Sequence, residues 1–596
     1  MKNLTMWMRC NAVLAAVFTL LTISFHGDIS LAAFPLSLVF TAVIAYLTLV
    51  VLLQKQNIKK LGSIIRLLQY EPFVFIAVFV IRRAGTAGMP FALDVVAVLL
   101  WIAITVVSFI ILFYLNPKRI AAVSQEWASY CEAQKKPEFK DLNSSLKRIC
   151  IEVLEWIDAL VQAVFTIILF NIFLFQLYEI PSESMVPTFL IKDRVTVFKT
   201  LAGPKFPLSN VGLPYLQNYD RGDIIVFRNP HYSDDRKSEV KTFMSQFLYM
   251  LTLTLVKTNT DENGELKADP LVKRITGLPG EQLMMMDGTL YARTSDDSDF
   301  KAVAADSTWA AWNLNALDPA TKSKVQWIPL SSAEAENTLL VEAERRALDL
   351  SLAKSECETL AKRFDELVQE SEDSASKHTS FSDEEMLVYS FLNRTRETAI
   401  SLLGNADGTL WFDSFMNDWH RDLPDGVASY TEDGAVNGSH LVGGNLYDDA
   451  NFRLNVMVKL VAGNLIVRQA ELNHDGVSVL EWRDDVIVAD YMQKAERLTN
   501  YIIHMDQRNM SVFPPNDASG NPVYIPADCY FMMGDNRYNS LDMRHSYEPY
   551  ICELTPYDKH SVLCYSRLKP QYVSKKKILG KAGLRFWPLS RLGMVK

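Results

Sequence analysis

The distribution of apolar residues divides the chain into two parts. Long apolar runs crowd the first 180 positions, whereas the remainder alternates between polar and apolar residues like a soluble protein. A helix that crosses the hydrocarbon core of a bilayer needs about 20 apolar residues. The run nearest the N-terminus, behind Lys2 and Arg9, also fits a cleaved signal peptide, but a second run follows so soon that a retained span is favoured. We expect four runs to span the membrane: Cys10–Phe25, Leu31–Leu53, Phe91–Leu115 and Ala159–Leu177.

A fifth segment, Ile64–Ile81, is ambiguous. Its apolar centre is only ten residues long, and extending it takes in Arg66 and Glu71. Residues 54–66, before this apolar centre, and residues 116–150, after the next apolar run, are rich in Lys and Arg. Such composition is typical of cytoplasmic loops. Two successive cytoplasmic loops require an even number of crossings between them. This predicts five spans, a cytoplasmic N-terminus and an external position for everything after the last span; a re-entrant hairpin at 64–81 is the alternative.

The pattern behind the last span is that of β-strands. Residues 193–199 and 223–229 are β-branched and aromatic runs bounded by Gly, Pro or Asp, and they predict strands. Residues 284–293 predict a hairpin that turns at Asp287-Gly288. Residues 452–470 alternate on both sides of Gly463-Asn464 and predict a second hairpin. Together these segments favour a mainly-β body.

Helical periodicity interrupts this body. Ser331 and Glu334 form a capping box, and apolar residues follow at three- and four-residue steps as far as Leu367. A second capped helix is predicted from 382 to Gly404. We expect a helical hairpin inserted into the β body, with an independent partner-binding domain as the alternative. The apolar stretch 243–256 predicts a buried strand pair or a surface lip that touches the bilayer.

Composition narrows the range of functions. The chain has 596 residues and a net charge of -9, which argues against nucleic-acid binding. Nine histidines and seven cysteines show no metal-ligand spacing, so the sequence indicates no metal site. Three cysteines could pair if they are exported, although free or buried thiols are favoured: Cys529, Cys552 and Cys564.

Three polar blocks carry the candidate chemistry. In "YEIPSESMVPTFL" (178–190), Ser184 is a candidate nucleophile directly behind the last span. In "LVKRITGLPGE" (271–281), Lys273 lies in a short apolar strand, where burial would lower its pKa enough to make it a base. Taken alone, the first block fits an ordinary loop, and the Lys-Arg of the second fits a solvated pair of charges at the end of a strand. The third, "YFMMGDNRYNSLDMR" (530–544), alone fits a surface ion-pair network.

The blocks in this order resemble the type I signal peptidases, membrane-anchored serine proteases that remove signal peptides. The resemblance rests on "IPSESMVPT" (180–188), "RGDIIVFRNP" (221–230), "LVKRITGLPGE" (271–281), "GDNRYNSLDMR" (534–544) and "ILGKAGLRFWPLSRLG" (578–593). It implies a helical transmembrane N-terminal region and a mainly-β extracytoplasmic catalytic domain of the signal-peptidase fold with an inserted α-helical or mixed subdomain. The corresponding division is 1–153 transmembrane bundle, 154–179 final anchor helix, 180–300 and 511–596 catalytic core, and 301–510 insert.

The resemblance also assigns roles to residues. It implies that Ser184 is the nucleophile, that Lys273 is the general base, that Ser182 donates to the oxyanion, and that Ser540 hydrogen-bonds Lys273. Glu183 stands where the family usually has glycine, and we expect its side chain to face solvent. Met543 and Glu281 also differ from the residues that the family commonly has at these two positions. A structural role near the site is implied for Met185, Arg274, Asp535, Asp542 and Arg544.

The implied activity is cleavage of signal peptides from exported preproteins after small residues at -1 and -3. The implied location is the bacterial cytoplasmic membrane, with the catalytic domain on the outer side. Signal peptides, the lipid bilayer and the export translocon would be the partners. Two alternatives remain: an inactive relative that binds export partners, and a Ser/Lys protease with another duty, like the self-cleaving repressors.

Overall fold

The computed structural model describes the chain except for residues 1, 24–31, 86–89, 117–118, 135–141, 233–234, 253–255, 257, 261–266, 298, 371–386, 422, 424–425, 431–435, 438–439 and 596. The N-terminal part is helical. Its helices are α1 Lys2–Leu21, α2 Ala33–Ala45 (continued as a π-helix, Tyr46–Gln54), α3 Leu61–Ala84, α4 Phe91–Tyr114, the short α5 Ile120–Val123 and α6 Gln125–Gln134, and α7 Leu142–Phe173.

The five predicted spans correspond to five helices that are long and apolar enough to cross a membrane: α1, α2 with its continuation, α3, α4 and the 149–173 part of α7. The last one ends earlier than predicted, because Phe175–Glu179 already forms the first strand. The ambiguous segment lies within the single 24-residue helix α3, which is about 36 Å long and needs no re-entrant turn.

The polar residues of α3 have partners inside the helical bundle. The Glu71 carboxylate is buried and accepts hydrogen bonds from Asn11 Nδ2 at 2.8 Å and from Ser108 Oγ at 2.6 Å. A charged or polar group is tolerated among apolar helices when it faces the bundle and is paired in this way. This pairing explains how a helix can carry a glutamate at its centre.

The β body contains sixteen strands in the described parts of the chain. They are β1 Phe175–Glu179, β2 Arg194–Phe198, β3 Ile224–Phe227, β4 Leu271–Gly277, β5 Glu281–Met286, β6 Thr289–Thr294, β7 Lys301–Ala302, β8 Ser429–Tyr430, β9 Val436–Asn437, β10 Met510–Phe513, β11 Cys529–Met533, β12 His545–Glu553, β13 Leu563–Leu568, β14 Val573–Ser574, β15 Ile578–Trp587 and β16 Gly593–Met594. The strands predicted at 193–199, 223–229 and 284–293 are confirmed as β2, β3 and the β5–β6 hairpin.

The main sheet places the second and third of the three polar blocks beside each other. The eight-stranded antiparallel sheet has the order β1-β2-β15-β3-β4-β11-β14, with β16 on β15. A four-stranded sheet has the order β10-β5-β6-β7, and β12-β13 and β8-β9 are two-stranded. Because β11 pairs with β4, the segment after residue 533 lies next to the strand that carries Lys273.

Between β7 and β10 the chain is mainly helical. Its helices are α9 Pro319–Lys322, α10 Ser332–Ala347, α11 Leu350–Glu370, α12 Thr395–Leu403, α13 Gly408–Arg421, α14 Leu446–His474 and α15 Val486–Arg508, while α8 Arg236–Leu251 precedes β4. The capping box of Ser331 and Glu334 is confirmed at the start of α10. The start predicted at 382 lies outside the described residues, and α12 ends at Leu403, directly before Gly404.

Two sequence predictions are wrong. Residues 452–470 belong to the single helix α14, not to a hairpin, and α14 is buried on nearly all sides. A helix that is buried on all sides has no polar face, so its sequence lacks the clear helical alternation of polar and apolar residues. Its Gly463 allows close packing, since a Cβ there would lie 2.7 Å from Met416 Cε. Residues 243–251 belong to the helix α8, so the strand pair predicted there is wrong, whereas the alternative of a lip that touches the bilayer stays a prediction. The first turn of α8 is capped by Asp235 through a hydrogen bond from Ser238 N.

The β body contacts the helical bundle through the loop after β2. Phe206 packs edge-on against Trp101 of α4 and Phe173 of α7, with ring centroids 5.5 and 4.7 Å away. Beside it, Ser209 Oγ donates to the Asp94 carboxylate, which also pairs with Arg83 at 3.2 Å. These contacts hold the β body against the ends of α3 and α4.

Candidate active site

Ser184 and Lys273 meet at the junction of the membrane anchor and the sheet. Ser184 lies in the turn after β1, and Lys273 lies in β4 opposite Ile225 of β3. Lys273 Nζ lies 2.6 Å from Ser184 Oγ, within hydrogen-bonding distance. The lysine is only 3% exposed, so its amine contacts the serine in a site that largely excludes water.

This burial changes the basicity of Lys273. Burial lowers the pKa of the amine to about 8, because the charged form loses its hydration. The negative charges of Asp542 and Asp535 oppose this shift, and the positive charge of Arg544 adds to it. A substantial fraction of the amine is therefore neutral slightly above physiological pH and can accept the proton of a hydroxyl.

A second hydroxyl lies next to the first. Ser182 Oγ lies 3.4 Å from Ser184 Oγ and is exposed. A hydroxyl in this position can donate to an oxygen bound at Ser184. The structure thus brings together Ser182, Ser184 and Lys273, three of the four residues to which the sequence assigned chemistry.

The fourth residue, Ser540, lies at the site without the expected bond. Its Oγ is buried and has no hydrogen-bond partner among the residues that the structure describes, so the bond expected between Ser540 and Lys273 is not formed. A Cβ on Gly534 would lie 2.2 Å from Ser540 Oγ and 2.4 Å from the Ser184 carbonyl oxygen. Ser540 therefore packs beside the turn that carries the candidate nucleophile (the nucleophile turn), in space that the missing side chain of Gly534 leaves free.

Asn536 fastens the nucleophile turn and was missed by the sequence reasoning. Its backbone N–H donates to the Ser184 carbonyl at 3.2 Å, and its side-chain Nδ2 donates to the Glu183 carbonyl at 3.1 Å. The residue is inside the quoted "GDNR" block. Its place in that block was the only sign in the sequence that Asn536 belongs to the site, because neighbouring residues do not show which backbone groups a buried asparagine contacts.

Arg274 and Asp535 form a buried ion pair behind the dyad. Arg274 Nε and Nη2 donate to the two carboxylate oxygens at 2.8 and 2.7 Å, and Thr188 Oγ1 donates to the same carboxylate at 2.5 Å. The pair links β4 to the loop after β11 and to the nucleophile segment. A bidentate contact of this kind fixes orientation as well as distance.

Asp542 and Arg544 form the second buried pair. Burial alone would raise the pKa of Asp542, but the Arg544 charge and hydrogen bonds hold it below its ordinary value. The Asp542 carboxylate also accepts the Gly534 N–H at 2.9 Å. Together with Met185, which is 1% exposed beside the nucleophile, these four charged residues form the packing around the dyad.

The expectation that Glu183 faces solvent is wrong. Its side chain is buried, and its carboxylate accepts the backbone N–H groups of Gln326 and Trp327, the latter at 3.2 Å. These partners lie 143 and 144 positions away, so no local pattern could have indicated them. Glu281 is likewise buried and pairs with Arg221, and Met543 is part of the core under the sheet.

No group of three or more His, Cys, Asp or Glu residues suited to a metal occurs in the described part of the chain. Cys552 and Cys564 face each other on β12 and β13 as free thiols, with their sulfur atoms 3.7 Å apart. The chemical groups at the candidate site are therefore hydroxyls, an amine and backbone amides. Such a set is suited to nucleophilic attack on a carbonyl.

The chain is similar in sequence to known proteins. The chain is 28% identical to signal peptidase I of Buchnera aphidicola subsp. Schizaphis graminum over 127 residues, 21% of this chain and 30% of that protein. It is 28% identical to signal peptidase I S of Bacillus subtilis over 154 residues, 26% of this chain and 54% of that protein. The chain thus aligns with between a third and about half of the length of these relatives.

The sequence profile of the family described as signal peptidase, peptidase S26, matches residues 153–325 and 462–587. The first match includes the anchor helix, the nucleophile turn and β4, and the second includes the loop after β11 and β15. The two segments together make up half of the chain, and the chain therefore belongs to the signal peptidase family, peptidase S26.

Proposed function

We propose that this protein is a membrane-bound serine endopeptidase that cleaves N-terminal signal peptides from exported preproteins. The observation that carries the proposal is the 2.6 Å contact between Ser184 Oγ and the buried amine of Lys273. A serine hydroxyl is a weak nucleophile until a neighbouring base takes its proton. A lysine with its pKa lowered to about 8 can act as that base.

In the proposed reaction, neutral Lys273 takes the proton from Ser184 as Oγ attacks the scissile carbonyl. The resulting oxyanion accepts hydrogen bonds from Ser182 Oγ and from the Ser184 backbone N–H. Lys273 then gives its proton to the leaving amine, and an acyl-enzyme forms. In the second half, Lys273 takes a proton from the water that attacks the ester, and it returns this proton to Ser184 Oγ as the ester bond breaks and the signal peptide is released.

The edge of the sheet supports a mode of substrate binding. β1 stands at the end of the strand order and leads directly into the nucleophile turn. An extended peptide can add to such an edge through backbone hydrogen bonds. Ile180 and Met185 are buried in the apolar cluster beside this turn, against which Tyr178 and Val272 also pack. An apolar wall close to the nucleophile suits the small residues at -1 and -3.

The membrane helices support the proposed location. α7 leads into β1 within two residues, so the candidate nucleophile lies close to the end of an apolar helix. We place the catalytic part on the outer side of the bacterial cytoplasmic membrane, where a translocated signal peptide ends. The bilayer and the export translocon are the proposed partners, and the reaction needs no cofactor.

The test is cleavage of a preprotein by the full-length protein in detergent. Ser184→Ala and Lys273→Ala are expected to reduce cleavage to background while the thermal unfolding transition persists. The matched controls are Ser307→Ala and Lys301→Ala, whose exposed side chains lie outside the site, and both should cleave like the wild type. Cleavage by either dyad variant at the wild-type rate would refute the proposal.

A further inference from the structure

A long segment of the chain lies against the nucleophile turn. We call residues 303–330, between β7 and α10, the strap. At its centre, Ala311 N donates to the Asp535 carbonyl at 2.7 Å, and Arg537 N donates to the Ala311 carbonyl at 3.2 Å. The strap thus pairs in parallel with the loop that holds Asn536, the residue that binds the backbone of the nucleophile turn.

Apolar contacts extend this pairing to the nucleophile segment itself. Val186 and Leu190, which directly follow the candidate nucleophile, form one buried cluster with Leu314 of the strap. The strap residues Ala311, Leu317, Val325 and Ile328 pack around this cluster. The strap is also held to the loop by a buried ion pair, in which Arg537 Nη1 donates to the Asp306 carboxylate at 2.8 Å.

Glu183, the residue directly before Ser184, also contacts the strap. It lies between Ser182 and Ser184, and each of its carboxylate oxygens accepts one backbone N–H of the strap, from Gln326 or Trp327. A buried carboxylate that accepts backbone N–H groups makes strong, directional hydrogen bonds. The opposite side of Glu183 is also held, because its carbonyl oxygen accepts Asn536 Nδ2.

We propose that Glu183 is a positioning residue that locks the Ser182–Ser184 turn between the strap and the Asn536 loop, and so keeps Ser184 Oγ within reach of Lys273 Nζ. This inference rests on the proposed function, because it concerns the same nucleophile. The carboxylate does not touch the reacting atoms; it acts through the backbone of the turn. A small displacement of a reacting group can reduce a rate about 100-fold, so the fixation of this turn has a direct kinetic consequence.

The experiment compares full-length wild type with Glu183→Gln and Glu183→Gly in detergent. A glutamine has one acceptor oxygen, and its amide group would face a backbone N–H that also donates. The matched control is Glu366→Gln, since Glu366 is an exposed residue of α11 paired with Arg363 at the surface. We measure kcat, KM, the pH profile of cleavage, thermal unfolding, and hydrogen exchange of the amides of residues 326 and 327.

Both variants should have a kcat about 10- to 100-fold lower, with KM within about twofold and the acidic limb of the pH profile unmoved. The amides of residues 326 and 327 should exchange faster, while Glu366→Gln behaves like the wild type. Faster exchange of these two amides together with a wild-type kcat would overturn the positioning role. The same holds if the acidic limb of the pH profile moves to lower pH while the maximal rate of cleavage stays unchanged. Unchanged exchange would overturn the contact itself.

Leu314→Ala provides a second route to the same question. It loosens the strap while Glu183 stays intact, so it should also lower kcat more than KM if the strap holds the turn. A wild-type kcat in folded Leu314→Ala would count against the proposal even if the Glu183 variants fail to fold. If the wild type itself cleaves no preprotein, the proposed function fails, and the exchange measurement still decides whether Glu183 holds the strap.

Discussion

Lys273 Nζ and Ser184 Oγ lie 2.6 Å apart, although the two residues are separated by 89 positions in the chain. The fold brings β4 and the turn after β1 together, although three strands lie between β1 and β4 in the order of the sheet. The amine is buried there without a carboxylate in direct contact among the described residues. This combination gives a base whose pKa is low enough to act near neutrality.

The pH dependence of cleavage should follow the Lys273 amine. Its pKa in the folded protein is lowered to about 8 by burial, so the neutral form that acts as base becomes abundant as pH rises through that value. We expect kcat/KM to rise about tenfold for each unit between pH 6 and 7.5 and to level off above the pKa. A profile of initial rates against pH checks this, and a flat profile would exclude a lysine base.

The same shift makes Lys273 costly for stability. The folded pKa lies below the unfolded value, so the unfolded chain binds more protons between the two values and stability rises with pH in that window. Below about pH 8 the whole effect is present, and burial of the Lys273 amine lowers the free energy of unfolding by on the order of 3 kcal/mol. Lys273→Met should therefore unfold at a higher temperature than the wild type at pH 7 while losing activity. A lower unfolding temperature would contradict this reasoning.

Removal of the Ser182 hydroxyl should slow the reaction and leave substrate binding intact. The hydroxyl lies 3.4 Å from Ser184 Oγ and is placed to donate to the developing oxyanion. Loss of one such donor typically lowers kcat about 100- to 1,000-fold. Steady-state kinetics of Ser182→Ala, with Ser307→Ala as control, measure this effect; a change confined to KM would argue for a binding role instead.

The buried pair of Arg274 and Asp535 should matter far more than a surface pair. Asp535→Ala leaves the guanidinium in the interior without its carboxylate, which typically costs about 3 to 5 kcal/mol. Glu179→Ala breaks the exposed pair with Arg194 and should cost at most about 1 kcal/mol. Denaturant unfolding of the two variants compares them directly. Equal losses of stability would show that Arg274 finds another partner.

Gly534→Ala should damage the site through a steric clash. The added methyl group would lie 2.4 Å from the Ser184 carbonyl oxygen and 2.2 Å from Ser540 Oγ, far inside van der Waals contact. We expect loss of most activity, because the nucleophile turn must shift. Gly593→Ala is the control, since no atom lies within 4 Å of the position of its added methyl group. Normal cleavage by Gly534→Ala would mean that the turn yields without consequence.

The membrane topology can be tested with single cysteines in a variant that lacks the native ones. Leu352→Cys lies on the exposed face of α11 and should react with an impermeant thiol reagent in intact cells. Lys59→Cys, in the basic loop between α2 and α3, should react only after the cells are permeabilised. The reverse pattern would overturn the proposed orientation.

The local features of this protein were predictable from its sequence. A membrane span needs about 20 apolar residues in succession, so five such helices could be located, including α3 with its central Glu71. The capping box at Ser331 and the Asp287-Gly288 turn depend on residues a few positions apart, and both are present in the structure. The resemblance of the short motifs was sufficient to identify the family and to select Ser184 and Lys273.

The contacts between distant segments were decided by the tertiary structure. α14 was misjudged as a hairpin because packing on all its sides, rather than a polar face, determines its composition. Glu183 was expected in solvent because its backbone partners lie 143 and 144 positions away, and Ser540 was expected to bind Lys273 although its hydroxyl does not do so in the structure. Sequence alone indicated which residue types are candidates for the chemistry and which helices are apolar enough to cross a membrane. Only the folded chain decided which backbone holds the nucleophile turn, because hydrogen bonds between segments depend on positions in space and not on spacing along the chain.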